Sequence, residues 1–181
     1  MNAYIDKAVE SFRELITEQL ERQNRMEAGA EVKDFAHMDK LVIGACGGDG
    51  IGPIITKEAA RVLKFILSDL VESGKVTFIN IEGLTLENRI AHMKAIPDDV
   101  LAALKSCDII LKGPTTTPQK GSGMPNIESA NVAMRKALDL FANIRPVKVP
   151  EEGINWTIFR ENTEGGYAVG SSGFKDRKSV V

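Results

Sequence analysis

The first candidate site lies at the start of a predicted helix. Ser129 and Asn131 stand at its N-terminus, where unpaired backbone N–H groups and the helix dipole favour the binding of anions. Arg135 follows Asn131 by four residues, so the two side chains lie on one face of the helix. The helix is predicted to reach about Ala142 on three apolar positions, Val132, Leu138 and Phe141. These residue types and their spacing predict an anion-binding site.

Two further arginines could extend this site. Arg145 follows the predicted end of the helix, and Arg160 follows a strand-like segment at residues 156–159. With Arg135 they could converge on one ligand that carries several carboxylates, because a guanidinium group binds a carboxylate in bidentate fashion. Any one of these arginines taken alone is more often part of a surface or interdomain ion pair, and the spacing leaves both interpretations open.

A glycine-rich turn at residues 47–53 follows an apolar strand and precedes a helix, which is the usual context of a phosphate-binding turn. Pro53 or Ile55 stands where the third glycine of the dinucleotide fingerprint would fall, and no Gly-Lys-Ser/Thr sequence completes a P-loop. The alternative is a tight structural turn that needs positive φ angles. The motif alone leaves both possibilities open.

Alternating strands and helices must position these residues. Strands are predicted from Leu41, over residues 76–81 and over residues 108–111, with helices beginning near Pro53 and Pro97 between them. The first of these helices carries the apolar residues Ile54, Ile55, Ala59, Val62, Leu63 and Ile66. Strand–helix alternation of this kind predicts an α/β layered fold with a largely parallel sheet.

The N-terminal segment predicts an amphipathic helix over residues 4–22. Its apolar stripe consists of Ile5, Val9, Phe12, Ile16 and Leu20. This stripe is expected to pack on its own domain or on a neighbouring subunit. The polar residues 21–40 predict a linker, with Gly29 as a helix breaker.

Composition excludes several classes of function. The net charge of −2 argues against binding to nucleic acid or to anionic lipid. No apolar run approaches the roughly 20 residues that cross a bilayer, and the chain is too charged from Asp6 onward for a secretory signal peptide. Cys46 and Cys107 form neither a disulfide framework nor a zinc cluster, so buried thiols in a reducing, cytoplasmic setting are predicted.

Several motifs together resemble the isocitrate/isopropylmalate dehydrogenase family. In order along the chain they are Gly-Asp-Gly-Ile-Gly-Pro, Lys-Gly-Pro with Thr-Thr-Pro, Ser-x-Asn-Val-x-x-Arg, Leu-Asp-Leu-Phe-Ala-Asn-x-Arg-Pro and Phe-Arg-Glu-Asn-Thr-Glu-Gly-x-Tyr. They cover about residues 41–170, and Ile54 departs from the glutamate usual in the family. The resemblance implies the α/β layered, non-Rossmann fold of that family, here incomplete.

The resemblance also implies roles for particular residues. The substrate carboxylates would be bound by Ser129, Asn131, Arg135, Arg145 and Arg160. Thr117 would lie near the nicotinamide end of the cofactor, and Tyr167 would protonate the enolate left after decarboxylation. The implied cofactors are NAD, with NADP possible, and Mg²⁺ or Mn²⁺, because the ligands would be hard oxygens.

Within the family, Ser129 and Asn131 resemble the isocitrate enzymes. Their hydrogen-bonding groups suit a third carboxylate, whereas an isopropyl group packed on them would leave polar groups unpaired. Isocitrate, a hydroxy tricarboxylate, is therefore the predicted substrate. The loop at residues 119–128 is longer than in the better-known isocitrate enzymes, so homoisocitrate and 3-isopropylmalate remain alternatives.

Family members extend far beyond this sequence. The metal-binding aspartates, the catalytic lysine and the loop that reads the adenosine ribose are expected in the missing half. The predicted organisation is an N-terminal helix and linker (1–40), the first part of a large α/β domain (41–140), the start of a second domain (141–173) and a tail unlike the family (174–181). The parent enzyme is expected to be a homodimer and the chain alone inactive; the alternative is a non-catalytic or regulatory subunit that needs a partner chain.

Overall fold

Two compact units of helix and strand make up the chain, and each is described by itself. The computed structural model describes residues 2–29, 33–119 and 121–163. Of these, residues 34–140 belong to one unit, and residues 2–33 with 141–163 belong to the other. The predicted domain boundaries stay a prediction.

A three-stranded parallel sheet forms the centre of the unit at residues 34–140. Its strands are β1 (Leu41–Cys46), β2 (Val76–Ile81) and β3 (Ile109–Lys112), in the order β2-β1-β3. Gly44 of the central strand pairs with Ile79 on one side and Ile110 on the other. A parallel strand that is covered on both faces needs apolar side chains along its whole length, and the sequence of β1 is continuously apolar. The predicted α/β fold with a parallel sheet is confirmed.

Helices alternate with these strands. In chain order they are α2 (Gly52–Ile66), α3 (Ser68–Glu72), α4 (Leu86–Ala91), α5 (Asp98–Lys105) and α6 (Ala130–Ala137), after the N-terminal α1 (Asn2–Ala28). The main core lies between the sheet and α5 and α6. It contains Cys46, Ile81, Leu84, Ile96, Val100, Leu104, Ala130 and Met134. This core holds the start of α6, and so the predicted anion site, against the sheet.

Helix α2 packs on the sheet through small residues. Gly52, Thr56 and Ala60 are buried at intervals of four, while Ile54, Ile55 and most of the predicted apolar stripe are exposed. Small side chains let α2 approach the strand ends closely, since a Cβ on Gly113 would come within 2.8 Å of Thr56 Oγ1. The helix was predicted correctly, but not its buried face.

The second unit contains an antiparallel two-stranded ribbon, β4 (Ala142–Val149) and β5 (Ile154–Glu161). A 3₁₀ turn at Pro150–Glu152 and Gly153 at φ 68° connect the strands. Helix α1 belongs to this unit and runs to Ala28, beyond the predicted end at residue 22. Its whole predicted apolar stripe is exposed.

Helix α6 is shorter than predicted. It ends at Ala137, and residues 142–149 form β4, so the predicted extension to Ala142 is wrong. Asp139 adopts a left-handed conformation at φ 51°, and the Leu140 N–H donates to the Arg135 carbonyl at 2.8 Å. This is the geometry that closes a helix C-terminus, and it turns the chain into the ribbon.

Candidate functional site

The carboxylate of Asp49 connects the loops that leave all three parallel strands. Its two oxygens accept hydrogen bonds from the backbone N–H groups of Leu86, at 2.7 Å, and Thr116, at 2.6 Å. Its own N–H donates to the Pro114 carbonyl at 2.8 Å. Because the carboxyl ends of parallel strands lie at one edge of the sheet, Asp49 fixes the loops where ligands bind in open α/β sheets.

The glycine turn serves this packing of loops. A Cβ on Gly48 would lie 2.1 Å from the Pro114 carbonyl oxygen, and a Cβ on Gly52 or Gly113 would lie 2.0 Å from the Gly47 carbonyl oxygen. The N–H groups of Asp49 and Gly52 already donate to backbone carbonyls. These two amides are committed and cannot bind a phosphate, and Gly48 and Gly50 have positive φ angles. Both observations favour the tight structural turn.

Lys112 lies at the end of β3 with a half-buried ammonium group. Its Nζ donates to the Gly113 carbonyl at 2.7 Å and to Thr115 Oγ1 at 3.3 Å. Burial lowers the pKa of Lys112, the positive charges of Arg89 and Arg135 lower it further, and Cys46 and Asp49 oppose the shift. The half-buried positive charge of Lys112 favours an incoming anion.

The hydrogen bonds continue from Lys112 to the start of α6. Thr115 Oγ1 donates to Asn131 Oδ1 at 3.3 Å, and Ser129 is the N-cap residue of α6. The Ser129 side chain makes no capping bond to that helix, so its hydroxyl is available to a ligand. The structure therefore links Lys112 through Thr115 to Asn131 at the start of α6, the helix that also carries Ser129 and Arg135. These five residues are called the polar cluster.

Arg89 of α4 lies fully buried behind the polar cluster. Its guanidinium donates to three backbone carbonyls: Ala95 at 2.8 Å, Thr116 at 2.7 Å and Glu128 at 2.9 Å. Burial lowers the pKa of Arg89, against the opposing effect of the Asp49 carboxylate. Neither Arg89 nor Asp49 was singled out as a site residue from the sequence, because their partners are backbone groups in distant loops.

The other two predicted arginines lie in the ribbon. Asn143 pairs with Arg160 and Arg145 with Ile158, which places Arg145 and Arg160 on one face of the ribbon. Arg145 Nε donates to Asn143 Oδ1 at 2.9 Å. Arg135 belongs to the other unit, so convergence of the three arginines on one ligand stays a prediction.

Two predicted residues remain, Thr117 and Tyr167, and only Thr117 lies within the described residues. Thr117 is exposed in the loop that follows β3, one residue after the Asp49–Thr116 hydrogen bond. Tyr167 lies outside the described residues, so its predicted role is untested. A cavity of about 850 Å³ lies between α2 and β2, beside Phe78 and Lys64, but none of the predicted site residues that the structure describes lines it.

The described residues were also the place where a metal-binding group or a reactive thiol would lie if this part of the chain carried one. Within residues 2–29, 33–119 and 121–163, no three His, Cys, Asp or Glu side chains are grouped to hold a metal ion. Burial raises the pKa of both Cys46 and Cys107, which keeps them as thiols. In the described part of the chain, no helix has the length and apolar character needed to span a membrane.

Comparison with known proteins gives one consistent answer. Residues 42–180 match the family described as isocitrate/isopropylmalate dehydrogenase. The isocitrate dehydrogenase (NADP) of Caldococcus noboribetus is 39% identical over 139 residues, which cover 72% of this chain and 31% of that protein. The 3-isopropylmalate dehydrogenase of Staphylococcus haemolyticus is 35% identical over 138 residues, which cover 69% of this chain and 39% of that protein.

A solved structure shares the fold. The apo crystal structure of a beta-decarboxylating dehydrogenase from Thermococcus kodakarensis superimposes with a TM-score of 0.56 at 33% identity, over 69% of this chain and 35% of that one. The parallel α/β fold is thus that of the decarboxylating dehydrogenases. The chain belongs to the isocitrate/isopropylmalate dehydrogenase family, as the resemblance predicted, and it spans about a third of the length of the curated relatives it matches.

Proposed function

We propose that this chain provides part of the substrate site of an enzyme that oxidises and decarboxylates isocitrate to 2-oxoglutarate. The observation that carries the proposal is the polar cluster, in which Lys112, Thr115 and Asn131 are linked by hydrogen bonds and the positive charge of Arg135 acts on that of Lys112. Such a group favours a ligand with several carboxylates, because each bond to a carboxylate is charge-assisted.

Each residue of the cluster has a separate role in this proposal. Ser129 and Asn131 donate hydrogen bonds to the third carboxylate, which distinguishes isocitrate from 3-isopropylmalate. Arg135 binds a carboxylate from the same face of α6, and Arg145 and Arg160 bind from the ribbon. Tyr167 would return the proton to the enolate after carbon dioxide leaves.

A nicotinamide coenzyme and a divalent metal ion complete the proposal. The coenzyme, NAD with NADP as the alternative, accepts the hydride when it is bound, and Thr117, an exposed loop residue, would contact its nicotinamide end. Mg²⁺ or Mn²⁺ is proposed on family grounds, with ligands outside the described residues. No step is assigned to the metal from this part of the chain.

The choice of substrate is part of the proposal. A hydroxyl at Ser129 and an amide at Asn131 would lose their hydrogen bonds if an isopropyl group packed against them. The relative from Staphylococcus haemolyticus is a 3-isopropylmalate dehydrogenase, and it keeps that substrate as the second candidate. Homoisocitrate, which also carries a third carboxylate, is the third.

A homodimeric, cytoplasmic parent enzyme is also proposed. The alternative is a non-catalytic or regulatory subunit that needs a partner chain. One relative is named as a subunit: the mitochondrial isocitrate dehydrogenase (NAD) subunit 2 of Kluyveromyces lactis is 36% identical over 136 residues. The polar cluster favours a subunit that binds substrate, since a purely structural subunit has no use for it.

Calorimetric titration of the 181-residue chain with the three acids tests this function. We expect isocitrate to bind more tightly than 3-isopropylmalate, and Ser129→Ala to weaken isocitrate binding about tenfold, because a hydrogen bond to a charged group is worth about 1.5–3 kcal/mol. Ser73→Ala is the matched control, since Ser73 is exposed and precedes β2 at the opposite edge of the sheet. Tighter binding of 3-isopropylmalate, or an equal effect of both serine substitutions, would contradict the proposal.

A further inference from the structure

Arg89 is an unusual residue for a protein core. It is fully buried, yet no carboxylate of the described residues lies within ion-pair distance of its guanidinium, and its three hydrogen bonds go to backbone carbonyls. Burying a cation without a paired anion costs stability unless its donors are well satisfied. A neutral apolar side chain would fill the same space without that cost, so the geometry of the three bonds needs an explanation.

The three carbonyls belong to three separate segments. Ala95 lies between α4 and α5, Thr116 lies in the loop after β3, and Glu128 lies in the segment that leads into α6. The planar guanidinium has donors in a fixed arrangement, so it sets the distances among its acceptors. Arg89 therefore fixes the separation between the loop after β3 and the start of α6.

Both ends of that separation carry residues of the proposed site. Thr116 precedes Thr117 and is also held by Asp49, and Glu128 directly precedes the N-cap Ser129. Asn131 and Thr115, which hydrogen-bond to each other across the same gap, lie close to the two anchor points. A shift of either segment would change the width of the polar cluster.

We propose that Arg89 is a positioning residue, which holds Thr115–Thr117 and Ser129–Asn131 at the spacing needed to bind a hydroxy-acid substrate. The inference rests on the proposed function, because it assigns Arg89 a role in the same site without contact with the ligand. Lysine cannot replace it, since a single ammonium cannot reach three acceptors in one plane.

The competing explanation is that Arg89 only stabilises the core. The two explanations differ in what a conservative substitution does. Arg89→Lys keeps the charge and much of the volume but loses the planar arrangement of donors. A positioning role predicts weaker ligand binding by a protein that is still folded, whereas a role in the core alone predicts changes in stability with ligand affinity unchanged.

The test combines binding with spectroscopy on the 181-residue chain. In Arg89→Lys we expect isocitrate affinity to fall at least about tenfold, while amide NMR signals of the sheet, such as those of Ile43 and Ala45, stay in place. Without ligand, the amide signals of Thr116 and Ser129 should shift. Arg61→Lys is the matched control, since Arg61 is an exposed arginine of the same unit.

Chemical rescue gives a second measurement. In Arg89→Ala, low concentrations of guanidinium ion should restore the Thr116 and Ser129 signals and the isocitrate affinity, whereas methylammonium should not. Wild-type affinity in Arg89→Lys, or signals of Thr116 and Ser129 unchanged in that variant, would overturn the inference. If the wild-type chain does not bind isocitrate, the proposed function fails, and the ligand-free NMR comparison still decides whether Arg89 sets the spacing.

Discussion

At the scale of single residues, the charged side chains behind the site act mainly on the backbone. Asp49 accepts two backbone N–H groups, and Arg89 donates to three backbone carbonyls. Loops cannot form the repeating hydrogen bonds of helices and sheets, so their polar groups need partners of this kind. The two residues thereby give the loops around the polar cluster a defined conformation.

Replacing Asp49 should destabilise the fold measurably. Asp49→Asn keeps one acceptor oxygen but turns an NH₂ group toward a backbone N–H, so we expect a loss of about 2 kcal/mol in the free energy of unfolding. Urea denaturation measures it. Asp69→Asn, at an exposed position in α3, is the control, and an equal effect of both substitutions would show that the two amide bonds contribute nothing.

Lys112 gives the stability a pH dependence of known sign. Burial lowers its folded pKa, so the unfolded chain binds the proton more tightly, and the penalty of holding the charge in the fold is complete below the folded pKa. As pH rises from there toward about 10.5, the unfolded value, the penalty disappears. Wild type should therefore gain stability relative to Lys112→Met over this range.

Urea titrations of both proteins at several pH values check this sign. Cys46 also titrates in alkaline buffer, and the charge of Lys112 lowers its pKa, so both proteins carry Cys46→Ala and the difference between them then reports Lys112. A difference in stability that stays constant, or that moves in favour of Lys112→Met as pH rises, would show that burial of Lys112 has no such consequence.

The sequence identified only part of the site at this scale. Ser129, Asn131 and Arg135 could be predicted because a helix start and a four-residue spacing are local features. Asp49 and Arg89 could not, because their hydrogen-bond partners are distant in the sequence. Thr116, which both residues contact, lies 27 residues after Arg89 and 67 residues after Asp49. For Lys112, the available signal was a lysine that ends a short apolar strand and precedes Gly-Pro.

At the scale of elements, the ends of the helices and strands determine where the site lies. Asp49 belongs to the turn after β1, Lys112 ends β3, and Ser129 begins α6. Each side chain is therefore placed by a rigid element while its neighbours lie in a loop. Close packing between the loops after β1 and β3 then depends on glycine, because the backbones touch.

Substitutions at two glycines of one turn can distinguish the cost of backbone strain from the cost of lost close packing. Gly48 and Gly50 both have positive φ angles, of 71° and 60°, but a Cβ would meet the Pro114 carbonyl oxygen only at Gly48. We expect Gly50→Ala to cost about 1 kcal/mol of strain. Gly48→Ala should cost considerably more, because the loop after β3 must move.

Denaturation midpoints of the two variants provide the comparison. Since both substitutions carry a similar backbone strain, the extra loss in Gly48→Ala measures the contact with Pro114. Equal midpoints would show that the loops can separate freely and that the polar cluster does not depend on their contact.

The elements were easier to predict than their boundaries. The strand β1 and the helix α5 have strong local signals, in a buried apolar run and in a proline followed by two aspartates. The end of α6 does not, because Leu138 and Phe141 continue the helical spacing while the left-handed Asp139 ends the helix. The ribbon strand β4 was missed for the same reason.

At the scale of the molecule, much apolar surface is exposed in each unit. In one, the outer side of α2 exposes Phe65 and Ile66; in the other, α1 exposes its whole stripe and the ribbon exposes Trp156 and Phe159. Patches of this kind commonly mark contacts with other parts of a protein or with partner subunits. The family-length enzyme, proposed here as a homodimer, would offer such contacts.

Trp156 is a reporter for these contacts, because it is the only tryptophan of the chain and is 63% exposed. At low protein concentration we expect the emission of a solvent-exposed indole and strong quenching by acrylamide. Quenching that weakens as the concentration rises would locate association at the ribbon. A fully protected indole at the lowest concentration would contradict the described exposure.

The short connection within the ribbon also has a kinetic consequence. Only residues 150–153 separate β4 from β5, so their pairing closes a small loop, and hairpins of this kind form in roughly microseconds. The sheet needs contacts such as that between Val42 and Asp108, which are 66 residues apart. Contacts of high sequence separation form slowly, because loop closure must precede any gain from pairing. The strands that carry Arg145 and Arg160 can thus pair long before β1 pairs with β3 and the polar cluster forms.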